Sequence, residues 1–444
     1  LAGTVLLGVV GAMLVGGVIP LGAASSGGSP RPEPPSPATG TSQEAGPANN
    51  SPRLEADPTD GRFVALATRL DAPDYNCGLQ VSGDGGNSWT PAEPVPRLPR
   101  GAEKCYAPEI DFDAQGRLYF LFVGLAGPGN QPMGVFLTSS TDRARSFSPP
   151  RKVLGALNFG VRMAVHRSSG PIGRIHLVWL HATSDPGLGS FGTPPNPVMA
   201  SHSDDGGKSF SRPVQVSDPV RARVAAPTLS VGEKGLVHVG YFDLGDDAID
   251  YQGLEGPTYE GKWSLIVTTS ADRGGHFSRG RVVDGSIMPG GRVMLIFTMP
   301  PASLASWKDS VCASWTDARF GDDDALLRCS TDGGRHWGPV VRLNRDHKGN
   351  GASQYLPKIA FSPSGRLDAV YFDRILDPSN LSATVTLSSS ADSFTRPVRL
   401  NRKPSNIRIG QRYEGKAAAG LVEFGARLGL LSSRDSVLAA WPDT

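Results

Sequence analysis

Apolar and polar positions alternate along this chain in short runs, and turn residues separate the runs. Between Val224 and Asp284 there are four of them: "AAPTLSV", "LVHVGYFD", "WSLIVTTS" and "GRVVD". Alternation with a period of two over four to eight residues predicts half-buried strands, and four strands joined by turns predict one antiparallel sheet. The series recurs. An earlier period reads "APEIDFDAQG", "RLYFLFVG", "GVFLTSS" and "RKVLG"; a later one reads "LPKIAFSPSG", "RLDAVYFD", "ATVTLSS" and "RPVRL". No segment carries the 3.6-residue periodicity of a long helix.

The third run of each period leads into a punctuating motif, S-x-D-x-G-x-x-[WF]. Its copies are "SGDGGNSW", "SSTDRARSF" (with Ala144 where the glycine stands), "SDDGGKSF", "SADRGGHF" and "STDGGRHW", with a shortened "SSADSF". The aspartates stand at 84, 142, 205, 272, 332 and 392, a nearly even spacing of about sixty residues. Sheets of this size cannot bury both faces alone, but set radially around an axis they bury one another. The chain is therefore expected to be an all-β, β-propeller protein of four-stranded antiparallel blades. Six blades are full. A partial seventh is expected from the tail, where "DSVLAAWPDT" parallels "DSVCASWTDA". Six blades with an extra half-sheet is the alternative.

Composition agrees with many short strands: of 444 residues 55 are Gly and 38 Pro, and only 19% are charged. The net charge of +2, with basic residues scattered, does not suit nucleic-acid binding. Residues 1–24 lack charge and are apolar and Gly-rich, which reads as a signal peptide or a membrane anchor. Residues 25–49 are Ser-, Pro- and Gly-rich and are expected to be a disordered linker, so that 50–444 form the propeller. Secretion follows as the expected localisation, with a membrane tether through the N-terminus as its variant, and a monomer is expected.

Export permits disulfides among Cys77, Cys105, Cys312 and Cys329. Three pairings exist. Cys312 and Cys329 lie on two runs joined by one polar turn, which suits a cross-strand bridge and would leave Cys77 to Cys105; four free thiols are the alternative. No C-x-x-C or paired-His spacing occurs, so no metal or other cofactor is expected. The acidic groups Asp322–Asp324 and Asp246, Asp247 and Asp250 read as solvated loops rather than calcium ligands.

A motif that recurs in every blade is better explained by folding than by chemistry. Its glycines allow positive φ, and its Ser and Asp side chains can bond the turn's own backbone. The pattern resembles the Asp-box, or bacterial neuraminidase repeat, of the sialidase superfamily. That resemblance implies a propeller acting on glycans, possible on this scaffold either as an exo-α-sialidase or as a non-catalytic glycan- or protein-binding module. It further implies three arginines on the substrate carboxylate, a Tyr nucleophile activated by Glu, and an Asp acid/base. The family's Arg-Ile-Pro element is not found; "SPRLEAD" around Arg53 has its components in another order. By topology alone the candidates are Arg223, Arg292 and Arg412, each before a first strand. Tyr413 and Glu414 adjoin Arg412, and Asp317 and Asp373 end second strands. Inter-blade ion pairs for the arginines and loop capping for the aspartates are the structural alternatives. Tyr106 and Tyr355 read as core aromatics.

Overall fold

The computed structural model describes, side chains included, residues 51–443 apart from 71–74, 95–96, 169, 171, 183–193, 248–258, 291–300, 378, 380, 402 and 407–426. Short strands outside these are described by their backbone alone.

Six four-stranded antiparallel sheets follow one another at residues 49–94, 104–154, 158–215, 224–287, 303–342 and 354–399. In each, sequence order is spatial order, so every blade is a simple meander. The fourth blade shows how directly the short runs set the strands: Val224–Val231, Val237–Asp243, Trp263–Ser270 and Arg281–Ile287; the second is buried at nearly every residue rather than half-buried, because both of its faces pack against neighbouring blades. A further strand pair, Gly429–Ser432 and Ser436–Asp443, forms the start of a seventh sheet. The backbone of Thr4–Gly11 pairs with Ser436–Asp443, and Thr41–Pro47 pairs with Thr4–Gly11. The one described helical element is a 3-10 turn at Ser390–Asp392, in the shortened copy of the motif.

The core is a ring of seven apolar wedges, one between each pair of neighbouring sheets. Phe63, Phe112 and Phe122 fill the first, between blades 1 and 2. Phe242, Trp263 and Trp315 fill the one between blades 4 and 5. Tyr355, Phe372 and Trp441 join blade 6 to the seventh sheet, and Leu54, Leu66 and Leu438 join that sheet to blade 1. The ring thus closes through the strand pair at 429–443. Burying large side chains in every wedge is what each lone sheet lacks.

Each Ser-Asp-Gly hairpin is a self-bonded turn. Ser82 Oγ donates to Asp84 Oδ1 at 2.7 Å and accepts the Gly86 N–H at 2.8 Å. Asp84 accepts the N–H groups of Asn87 and Ser88 at 3.0 and 2.9 Å. The same bonds recur around Asp142, Asp205, Asp272 and Asp332. Gly85 and Gly86 hold φ of 79° and 94°, which a side chain would strain. The closing aromatics pack inward: Trp89 donates to Gly86 O at 3.0 Å, and Phe147 meets Phe120 edge-on. Each hairpin lies over the preceding blade, on the face of the turns between first and second strands. Arg143 of the second hairpin, for example, reaches Asp60 in the first turn of blade 1 at 3.0 Å.

Two disulfides are present. Cys312 and Cys329 are directly opposite one another on the second and third strands of blade 5. Cys77 and Cys105 tie the third strand of blade 1 to the first strand of blade 2. Among the described residues no helix is long and apolar enough to cross a membrane.

Candidate functional site

The first strands surround the axis, and five of them carry a β-bulge at the same place. The register shifts after Asn50, Tyr106, Phe159, Ala225 and Tyr355. Within each bulge one residue takes positive φ: Ser51, Ala107, Gly160, Ala226 and Leu356, at 51° to 58°. A proline follows it in four of the five, at 52, 108, 227 and 357. Proline has no N–H to give a ladder and is at home in a bulge, and a bulge re-aims the side chain after it.

The residue after each bulge is Arg53, Glu109, Arg162, Thr228 and Lys358. Blade 5 puts Ser303 at this level: it pairs with Ser314, three residues before Asp317, as Thr228 pairs with Gly240, three before Asp243. In the seventh sheet the position is Gly429, opposite Ala440, and Arg427 two residues earlier supplies a side chain instead. Seven sheets thus contribute to one axial level four cations, one carboxylate and two short hydroxyl side chains.

Glu109 is the hub. It is 2% exposed and pairs with Arg162 at 3.0 Å and with Arg427. Burial opposes its charge, but Arg427, Arg162 and Arg53 outweigh burial and hold its carboxyl below the usual range. One carboxyl oxygen, Oε2, is buried without a hydrogen-bond partner. Burial also lowers Arg427, to about 10. Two residues further along the strands lies a second level. Glu55 bonds Arg53 at 2.8 Å, and Asp111 bonds Arg167 at 2.7 Å. Burial pushes Glu55 up to about 7 against the pull of Arg53. Lys358 is pushed down to about 7 by burial and by Arg53. The channel retains solvent contact, since Arg53 and Arg162 keep 22% and 20% of their side-chain surface exposed. Such a site is a cation-rich, partly desolvated slot, where a planar carboxylate can take paired N–H donors.

Aromatic groups stand three residues before this level. Tyr106 accepts from Arg69 at 3.1 Å, and Arg69 lies between the rings of Tyr75 and Tyr106. Tyr355 carries Arg374 over its face, and burial pushes its hydroxyl up to about 12. These two tyrosines are therefore packed against guanidinium planes rather than buried only among apolar groups.

The residues chosen from topology lie elsewhere on the loop side. Asp317 is fully buried and accepts from Trp315 Nε1, Arg319 N and Arg319 Nε at 2.9 to 3.0 Å. Arg319 continues to Asp284 at 2.8 Å and so clamps blade 5 to blade 4. Asp373 accepts from Gln354 and Ile375 at 3.1 and 2.9 Å, and burial raises its carboxyl to about 6. The backbone carbonyl of Arg223 accepts from Leu244. No hydrogen bond or ion pair joins Arg223, Asp317 and Asp373 to one another. Arg292, Tyr413 and Glu414, and the side chain of Arg412, lie outside the described residues. Of the acidic groups, Asp324 and Asp346 are bridged by Arg342 and Asn344. Among the described residues no group of three or more His, Cys, Asp or Glu side chains is placed to hold a metal ion.

The axial level has a sequence signal that loop composition hides. It is a polar residue at P-x-[LI] in an otherwise buried strand, "SPRL", "APEI", "APTL", "LPKI", repeating at the blade period.

No family model and no curated protein matches the chain. Among solved structures it is similar to the Hadza microbial sialidase Hz136, at 16% identity and a TM-score of 0.48, covering 74% of this chain and 63% of that one. The chain thus spans less than two thirds of that sialidase. It is also similar to a leech intramolecular trans-sialidase, at 12% identity and a TM-score of 0.49, covering 78% of this chain and 68% of that one. A third is an α-L-arabinofuranosidase from Fusarium graminearum, at 12% identity and a TM-score of 0.48, covering 80% and 93%. At these identities the likeness is one of fold alone.

Proposed function

We propose that this chain is an exported, sialidase-like propeller that recognises an acidic glycan through its axial channel. The observation that carries this reading is the excess of cations lining the axis: Arg53, Arg162, Lys358 and Arg427 against Glu109 and Glu55, the latter paired with Arg53. A sugar carboxylate suits that imbalance in charge and in shape. The resemblance of the hairpins to Asp-boxes points to the same ligand class. On this reading the arginines orient the sugar, and exo-α-sialidase hydrolysis is the activity to be assayed.

Binding without turnover is the second reading, and one observation favours it. Arg162 and Arg427 already spend donors on Glu109, a carboxylate belonging to the protein itself. A ligand then has to share these guanidiniums with Glu109.

The experiment is release of a fluorophore from a sialoside, run beside direct binding of sialylated and desialylated glycans to the folded protein. Release that falls with Arg53→Ala supports hydrolysis. Sialic-acid-dependent binding without release supports the second reading. Absence of both, with the fold intact, overturns the proposal.

A further inference from the structure

The link from blade 5 to blade 6 is fastened to the loop between the second and third strands of blade 5. Lys348 Nζ sits 4.0 Å from the centre of the Phe320 ring. A Cβ on Gly321 would come within 3.0 Å of Gly349 Cα, so these glycines let the two backbones touch. The Gly351 N–H donates to Asp322 Oδ2 at 2.7 Å, and the Gln354 N–H donates to the Asp323 carbonyl at 2.6 Å. Between these anchors stands Asn350, exposed and followed by Gly351, the one Asn-Gly step in the sequence. Its side chain folds back over its own peptide, where Oδ1 accepts the Ala352 N–H at 2.8 Å. Three groups thus meet: a side-chain amide carbon, the peptide nitrogen of the next residue, and a carboxylate already bonded to that nitrogen's proton.

We propose that Asn350 is a self-modification site, converting through a cyclic imide to aspartate and isoaspartate with Asp322 as the base. Gly351 holds φ of 83° and has no Cβ to crowd the ring closure. Its N–H proton passes to Asp322 Oδ2, and the nitrogen lone pair attacks Asn350 Cγ to form the new C–N bond. Negative charge then develops on Oδ1, to which the Ala352 N–H already donates. The bond from Cγ to the side-chain nitrogen breaks, Asp322 returns the proton, and ammonia leaves. Water opens the imide at either carbonyl, which leaves an aspartate or an isoaspartate at position 350. Water is the only co-reactant, and nothing is oxidised or reduced. Burial, with Asp324 and Asp346 nearby, raises the Asp322 carboxyl and makes it a better proton acceptor. The product adds a carboxylate beside Asp322, just before the first strand of blade 6, Gln354–Phe361. This inference is independent of the glycan reading.

The test is incubation of the folded full chain at neutral pH, followed over days by peptide mass mapping. The mapping reads conversion of amide to acid and separates isoaspartyl from aspartyl peptides. The comparators are Asn87, exposed and followed by Ser88, and the synthetic peptide HKGNGASQ, which has the same Asn-Gly step without Asp322. Asn350 should convert at least about tenfold faster than Asn87, and about tenfold faster in the folded chain than in the peptide. Asp322→Asn should slow Asn350 by about tenfold or more and leave Asn87 unchanged. Where that variant folds poorly, the comparison of the unaltered folded chain with the peptide decides. Conversion in the folded chain no faster than in the peptide overturns the inference, as does an unchanged rate in a folded Asp322→Asn protein. The readout is a mass change in one loop, so its failure is distinguishable from failure of sialoside binding or release.

Discussion

Replacing Glu109 by Gln preserves volume and removes one charge from the axis. Glu109 is 2% exposed and faces Arg162 at 3.0 Å and Arg427. Without it Arg162 and Arg427 lose their carboxylate partner, whereas Arg53 keeps Glu55 at 2.8 Å. Removing one partner of a buried pair costs about 3–5 kcal/mol. Arg162 and Arg427 keep 20% and 14% of their side-chain surface exposed, so water recovers part of this. The expected loss is about 2–4 kcal/mol, or about 1 M in urea midpoint for an m-value near 3 kcal/mol/M. Urea unfolding followed by tryptophan fluorescence measures it. The sign with pH follows from the depressed carboxyl. Its contribution is present above the unfolded carboxylate range and is lost as pH falls through the lower folded value, so the two proteins should converge in acid. Glu109→Gln also frees donors on Arg162 and Arg427, so an anionic ligand should bind the variant more tightly. Adding Arg162→Gln should return part of the lost stability. A midpoint within about 0.2 M of the unaltered protein would refute the view that Glu109 is the electrostatic hub.

Ser203→Ala leaves the buried Gly207 N–H without its acceptor and should cost about 1–2 kcal/mol, read by urea unfolding. Opening the Cys77–Cys105 bridge by substitution to Ala should cost about 2–4 kcal/mol and lower the melting temperature of the oxidised protein. Lys358 is held below its unfolded value, so stability should rise as pH increases from about 7 toward 10, and Lys358→Met should remove that rise. Asp142 and Asp205 are held down to about 2; the staples they make should weaken only as pH falls from about 4 toward 2, read by circular dichroism.

The blades were legible because short, largely apolar runs bounded by turn residues recur at a steady period; both faces of the inner strands are buried between neighbouring blades. Val237–Asp243 and Leu367–Asp373 read as strands from their side chains alone. The hairpins were legible because each carries its own bonding partners, as Ser82, Asp84 and Gly86 do. The axial level was not legible in the same way. Arg53, Glu109, Arg162 and Lys358 come from four blades and are brought to one height by the bulges, and Arg427 joins them from the chain just before the seventh sheet. Richness in Arg, Asp and Tyr drew attention to the loops, but it does not separate a clamp from a site. Arg319, which binds Asp317 and Asp284, is such a clamp.

The most direct test of the axial channel as a carboxylate site is calorimetric titration with N-acetylneuraminic acid and with its methyl ester. The acid should bind and the ester should not, and Arg53→Ala should abolish the difference. Equal affinity for acid and ester, or no binding of either to folded protein, would contradict it.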